Sequence, residues 1–311
     1  GTMAKWGLGY QDLRKVKPDL IYTSITARGQ FGQGHDRPSY DPEGQRPKAW
    51  PSDGIGQAES GLMHLTGRPE DPPTRSGYLM GDVTAGWPAA FAALAALRNR
   101  AQTGEGQWID IAQRDSVAYC SDMFIMASAN AGVHWQRYGS GLGPAVAPAN
   151  AYRCDDGNYA YIAIVLDAHW ARFCKVMGRE YIIEDPRTAT QTSRAQNWQF
   201  VDDLVADWAR GRTADEVVRA LDEIQVVVAR IQNFQQLLQD GHFKERDMVA
   251  EVAHPELGRV QVLGVGTKFS VTPARVRTAA PLLGQHNEEV YCGVLDLSAE
   301  EMIWFKEQGV I

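Results

Sequence analysis

Asp82 is the residue in this chain that position and residue type single out. It lies between Gly81 and Gly86, where the sequence runs into a helix dense in alanine: Ala89, Ala90, Ala92, Ala93, Ala95 and Ala96. A carboxylate at such a helix start is held ionised by backbone N–H groups and the helix dipole. An ordinary N-cap aspartate occupies the same kind of position, and the residue pattern alone favours that cap reading, since caps are a routine feature of helix starts. Gly139, Gly141 and Gly143 alternate in a second conspicuous stretch, followed by Pro144 and Pro148. Without a Lys-Ser/Thr pair or a strand running into it, this stretch matches neither phosphate-binding fingerprint and reads as a hinge or flap. The seven histidines include no pair at metal-ligand spacing, so no metal is expected. Ser116 lies outside any nucleophile elbow, and His169 with Trp170 reads as helix cap and packing.

These residues need elements to hold them. Helices are expected at 10–17, at 55–66 behind Ser52 or Asp53 as N-cap, at 87–100 and at 116–131. Strands are expected at 19–25 and 108–112, and their alternation with helices predicts parallel α/β architecture. Residues 27–53 are polar and aperiodic, as a loop beside a site would be. Beyond the glycine stretch come a strand at 158–165, helices at 169–177, 200–209 and 214–221, a strand at 258–263 and a terminal helix at 299–308. Val201, Leu204, Val205 and Trp208 mark the amphipathic stripe of one of these helices.

Composition excludes several functions. With 31 basic against 38 acidic side chains among 311 residues the net charge is −7, and no basic block exists to meet a nucleic acid. The longest apolar run, Trp87 to Leu97, is about half of what a bilayer span needs, so no membrane association is expected. No secretion leader opens the chain, which points to the cytoplasm. The four cysteines are too far apart for a zinc site or a disulfide framework and read as buried thiols.

At Asp82 the sequence also acquires a resemblance. Ser60-Gly61-Leu62-Met63, Leu65-Thr66-Gly67, Pro72-Pro73-Thr74 and Gly81-Asp82-Val83-Thr84-Ala85-Gly86 resemble the class III CoA-transferases. So do Thr103-Gly104-Glu105-Gly106-Gln107, Tyr152-Arg153-Cys154, His254-Pro255 and Pro281-Leu282-Leu283-Gly284-Gln285-His286, in that order along the whole chain. The resemblance implies that Asp82 attacks an acyl-CoA thioester and that CoA passes to a carboxylic acid through an aspartyl anhydride and an aspartyl-CoA thioester. Coenzyme A enters as the acyl-CoA substrate, and the partners are an acyl-CoA donor and a carboxylic acid acceptor. Trp50, Ser52 and Asp53 fall where family members contact CoA or the reacting acyl group. Gly139, Gly141 and Gly143 fall where formyl-CoA-type members carry a glycine lid, although Gly-Ser-Gly-Leu-Gly here is not an unbroken run. An acidic acceptor would want a cation such as Arg28, Arg75 or Arg153.

A racemase subset of the family removes an α-proton with an Asp and a His. Its matching stretch begins with histidine where this chain has Ser52, which is no base near neutral pH. Racemase chemistry is therefore the alternative, with a non-catalytic partner subunit as a third reading. The implied fold is α/β: a Rossmann-like large domain, incomplete at the N-terminus, plus a smaller α+β domain, in an interlocked dimer or a complex with a related chain. The expected boundaries are 1–140 for the large domain, 141–250 for the small one and 251–311 for the return to the large domain. Family members carry a Rossmann-type half ahead of a stretch like residues 7–10, and that half is expected to be missing here.

Overall fold

Two parallel strands organise the first part of the chain. Tyr22–Thr26 (β1) pairs with Trp108–Ala112 (β2), Tyr22 opposite Trp108 and Thr26 opposite Ala112. Parallel neighbours need a long crossover, and among the described residues it contains helices Ser52–Glu59 (α3), Leu62–Leu65 (α4) and Met80–Thr103 (α5). Two short helices, Thr2–Lys5 (α1) and Tyr10–Val16 (α2), precede β1. The computed structural model describes residues 2–32 and 52–311, which fall into two compact units, Gly1–Arg230 and Ile231–Ile311.

α5 runs three residues past the expected end and stops at Gly104, whose φ of +77° suits glycine and whose N–H reaches the Arg100 carbonyl at 2.8 Å. Its buried face is made of small residues, Gly81, Ala85, Ala89 and Ala96, which let its backbone approach α3 and the strands closely. The opposite face exposes Val83, Trp87, Phe91, Leu94 and Leu97. At 24 residues, α5 is the one helix among the described residues whose length and composition suffice to cross a bilayer, which the shorter run Trp87–Leu97 did not suggest. Its small-residue face is nevertheless committed to the protein's own sheet and helices. Gly106 shapes the turn into β2, because a Cβ there would collide with the Asp19 carbonyl.

The single helices expected at 55–66 and 116–131 are each broken in two. Gly61, at φ +88°, separates α3 from α4. Gln113–Tyr119 (α6) starts directly off β2, and Asp122–Ala131 (α7) follows a break at Cys120-Ser121.

A second sheet of the same unit is antiparallel, unlike the parallel pair β1–β2. Ala149–Arg153 (β3), Tyr159–Ala163 (β4) and Val227–Arg230 (β5) lie in that order, and the short turn between β3 and β4 permits only an antiparallel return. Four helices accompany this sheet: Asp167–Val176 (α8), Gln191–Gln196 (α9), Trp198–Arg210 (α10) and Ala214–Asp222 (α11). Trp170, Phe173, Val201, Val205, Trp208, Val217 and Leu221 build the core with Ile162 and Ile164. Trp208 meets Phe173 edge to face at 5.0 Å. Buried Arg194 pairs with Asp167 at 2.9 Å and donates to the carbonyls of Ala147, Thr188 and Val165.

The second unit begins with Phe234–Gln239 (α12) and Gly241–Glu245 (α13), capped by Asn233 and Asp240. The hairpin Val249–His254 (β6) and Gly258–Leu263 (β7) follows. After residues 264–282, which hold no helix or strand, come a π-helical turn, Glu288–Val294, and the terminal helix Ala299–Glu307 (α14). The cysteines are all free thiols, but only Cys154 and Cys174 are buried; Cys120 is exposed, at the break between α6 and α7. Burial pushes the Cys174 thiol up to about 12.

Replacing Trp208 by Ala would remove the Phe173 contact and leave a cavity at the centre of this core. A loss of about 3–5 kcal/mol is expected, read from the midpoint of urea unfolding.

Candidate functional site

Asp82 is the third residue of α5 and is exposed. It is not the cap of its helix: the N-cap position is Leu79, and no side chain at that position receives a helix N–H. The capping is done from another helix. Asp53, in the first turn of α3, has no solvent exposure, and its Oδ1 accepts the Gly81 N–H at 2.8 Å. Gln57 Nε2 donates to both Asp53 oxygens at 3.2 and 3.1 Å, and Arg75 Nη1 donates to Oδ2 at 3.0 Å. Gln57 Oε1 in turn accepts the Ser76 N–H at 2.9 Å, fastening the segment that leads into α5. Gly81 lets the two helices come this close, since a Cβ would sit 3.1 Å from the Asp53 backbone.

A second helix start meets the same carboxylate. Gln113, the first residue of α6, is only 4% exposed and donates from Nε2 to Asp82 Oδ1 at 2.5 Å. Asp82 Oδ2 has no hydrogen-bond partner among the described residues, so one oxygen is held and the other is free. Gln113 is fixed from two sides. The neighbouring Arg114 N–H donates to the Ala27 carbonyl at 3.1 Å, and α3 offers Gly56, where a Cβ would come within 3.3 Å of Gln113 Cβ. Local sequence pattern does not single out Gln113. Its signal was positional: an amide side chain where a parallel strand ends and a helix begins, the edge at which α/β sheets place their sites.

The remaining expected residues are distributed as follows. Trp50 and the side chain of Ser52 lie outside the described residues. Asp53, expected to face CoA, spends both oxygens inside the chain and sits one hydrogen bond from Asp82's neighbour. Gly139 donates its N–H to the Gly67 carbonyl at 2.9 Å, forming an isolated bridge. Gly141 lies against Asn150, and Gly143 is buried at φ +52° against the Tyr138 ring. The stretch is tied at both flanks. Arg137 donates to the carbonyls of Arg68, His64, Pro69 and Asp71, and Asn150 donates to Asp202 Oδ2 at 2.8 Å. Burial pushes the Asp202 carboxyl up, although Tyr152 and Asn150 both donate to it. No hydrogen bond joins the three glycines to Asp82. Arg28 is engaged by Glu59 at 2.6 Å, while Arg75 is half-exposed beside Asp53 and Arg153 is exposed on β3. No cluster of three or more metal-ligating side chains occurs among the described residues. Two concavities, of about 640 Å³ beside β1 and about 590 Å³ between α4 and α7, are not lined by Asp82.

Known proteins agree on the family. The model of CoA-transferase family III matches residues 1–287. Succinyl-CoA–D-citramalate CoA-transferase of Chloroflexus aurantiacus is 33% identical over 311 residues, covering 100% of this chain and 74% of that protein. The beta subunit of succinyl-CoA–L-malate CoA-transferase of the same organism is 30% identical over 313 residues, again covering 100% of this chain and 74% of its own length. Among solved structures, a CAIB/BAIF family protein from Brucella suis superposes with a TM-score of 0.79 at 27% identity, covering 94% of this chain and 72% of that one.

Asp53→Ala would strand the Gly81 N–H, the Gln57 amide and the Arg75 guanidinium together. A stability loss of about 3 kcal/mol is expected in chemical denaturation, because three donors lose one buried charged acceptor.

Proposed function

The chain belongs to CoA-transferase family III, and from that premise we propose that it exchanges CoA between an acyl-CoA and a carboxylic acid by covalent catalysis on Asp82. The observation that carries this reading is the asymmetry of the Asp82 carboxylate, an exposed group with Oδ1 held by Gln113 and Oδ2 without a partner among the described residues. A nucleophile needs that combination of fixed orientation and one accessible lone pair.

The reaction closes in four balanced steps. Asp82 Oδ2 attacks the thioester carbonyl of the donor, the C–S bond breaks, and CoA thiolate leaves a mixed anhydride behind. The thiolate attacks Asp82 Cγ and expels the donor acid, forming an aspartyl-CoA thioester. The acceptor carboxylate attacks the same carbon, expels thiolate and restores an anhydride. Thiolate then attacks the acceptor's acyl carbon, releasing the new acyl-CoA and the free Asp82 carboxylate. No step needs an outside proton source, since every leaving group departs as an anion. Enclosing the anhydride would protect it from water, and the glycine stretch 139–143 is the segment we assign to that cover.

Relatives named for citramalate and malate make a dicarboxylic acid the favoured acceptor class. Arg75 is the cation we assign to its distal carboxylate, being half-exposed and one residue's breadth from the start of α5 through Asp53. A second chain, either another copy or a related subunit, is the occupant we assign to the apolar face of α5. Residues 83, 87, 91, 94 and 97 follow helical spacing, and Phe91 is 75% exposed. A relative designated a beta subunit supports a multi-chain assembly.

Incubation with succinyl-CoA should add the mass of CoA, less water, to the peptide containing Asp82. Asp82→Ala should lower exchange at least about a thousandfold; exchange at the native rate in that variant would overturn the reading. In sedimentation velocity the native chain should run as a dimer or larger, and Phe91→Glu with Trp87→Glu should shift it to the monomer. A native monomer would refute the assigned face.

A further inference from the structure

Gln113 is bonded to the oxygen of Asp82 that stays behind when the other one reacts. Its amide orientation is fixed by chemistry, since turning it over would set two acceptors against each other at 2.5 Å. It cannot swing away, because it is 4% exposed, its backbone neighbour is bonded to Ala27, and Gly56 of α3 packs against its Cβ. The amide is nonetheless poorly satisfied: Gln113 Oε1 is buried without a partner among the described residues.

We propose that Gln113 is a catalytic residue, the hydrogen-bond donor to the oxyanion that forms on the aspartyl carbonyl. The inference rests on Asp82 being the nucleophile. Once Oδ2 has been acylated, Oδ1 becomes the carbonyl oxygen of the anhydride and then of the aspartyl-CoA thioester. When CoA thiolate or the acceptor carboxylate adds to Cγ, the C=O electron pair moves onto Oδ1, and the Nε2–H of Gln113 already points at it. Collapse of the tetrahedral adduct returns that pair and expels the leaving group. In the first and last steps the negative charge develops instead on the acyl group's own carbonyl oxygen, which Gln113 does not touch. Gln113 therefore acts on the two middle steps and spares the outer ones. Removing one preorganised donor from an oxyanion site typically slows such steps by about 10²–10³.

This division gives the experiment a readout that a supporting role would not move. Gln113→Met keeps the length of the side chain and removes the donor. With succinyl-CoA and a dicarboxylic acid, transfer should fall about a hundredfold or more. Release of CoA thiol, followed with a thiol reagent, should fall far less, because the anhydride still forms and is then lost to water. The ratio of thiol released to acyl-CoA formed should rise at least about tenfold, with KM for succinyl-CoA changed less than about threefold. Equal falls in thiol release and transfer would overturn the proposal, as would unchanged transfer. Gln113→Glu supplies a second test if the first variant folds poorly. Its carboxyl can donate only when protonated, so its transfer rate relative to the native enzyme should climb as pH falls, and a flat ratio would refute the role. Asp82→Ala measured alongside separates the two ideas. If that variant still transfers, the nucleophile is wrong; if it is dead while Gln113→Met transfers normally, only the role of Gln113 is wrong.

Discussion

The buried carboxylate of Asp53 fixes where α5 begins. By accepting the Gly81 N–H it does for this helix what an N-cap residue ordinarily does, but from a different helix, so the start of α5 is set by tertiary structure and not by its own sequence. Gln57 and Arg75 saturate the same carboxylate and bind it to residues 75–78. The arrangement frees Asp82. Standing one residue past the capped glycine, it is close to the positive end of the helix yet owes no hydrogen bond to it.

The second constraint is topological. β2 emerges parallel to β1 after the crossover through α3 and α5, and the chain turns from it straight into α6. Gln113 therefore arrives beside Asp82 although 31 residues separate them in sequence. α3 lies behind both, contributing Asp53 to one and Gly56 to the other. Three helix starts converge on a single carboxylate, and the glycines at 56 and 81 set how closely they come.

Much of this could be read from the residues. β2 and β7 have the bounds that their alternation and turns predicted, and α10 and α11 follow their apolar spacing closely. Long-range pairing was what local pattern could not show. β3, β5 and β6 are short segments whose strand character comes from the partners they meet, and the break at Gly61 depends on a backbone conformation that an apolar run conceals. At the site, Asp82 stood out through its glycines and its alanine-rich helix. Asp53 reads locally as a cap of its own helix, whereas its carboxylate closes another one. Nothing in the immediate sequence of Gln113 marks it, and its place beside Asp82 exists only once β2 has delivered it.

The tightness around Gly81 has a consequence for how such an enzyme could change its preferred acid. A Cβ at Gly81 would crowd the Asp53 backbone at 3.1 Å and both Asp53 oxygens are already engaged, so the surroundings of Asp82 leave little room for remodelling. Variation can enter only where the chain is not already spoken for: the outer reach of Arg75 and the glycine stretch, whose anchors lie on Gly67 and Asn150, away from α5. With Asp82 as the proposed nucleophile and Arg75 as the proposed anchor of the acceptor, the machinery of exchange and the choice of what is exchanged would be separable, and a new specificity could be acquired without passing through an inactive form.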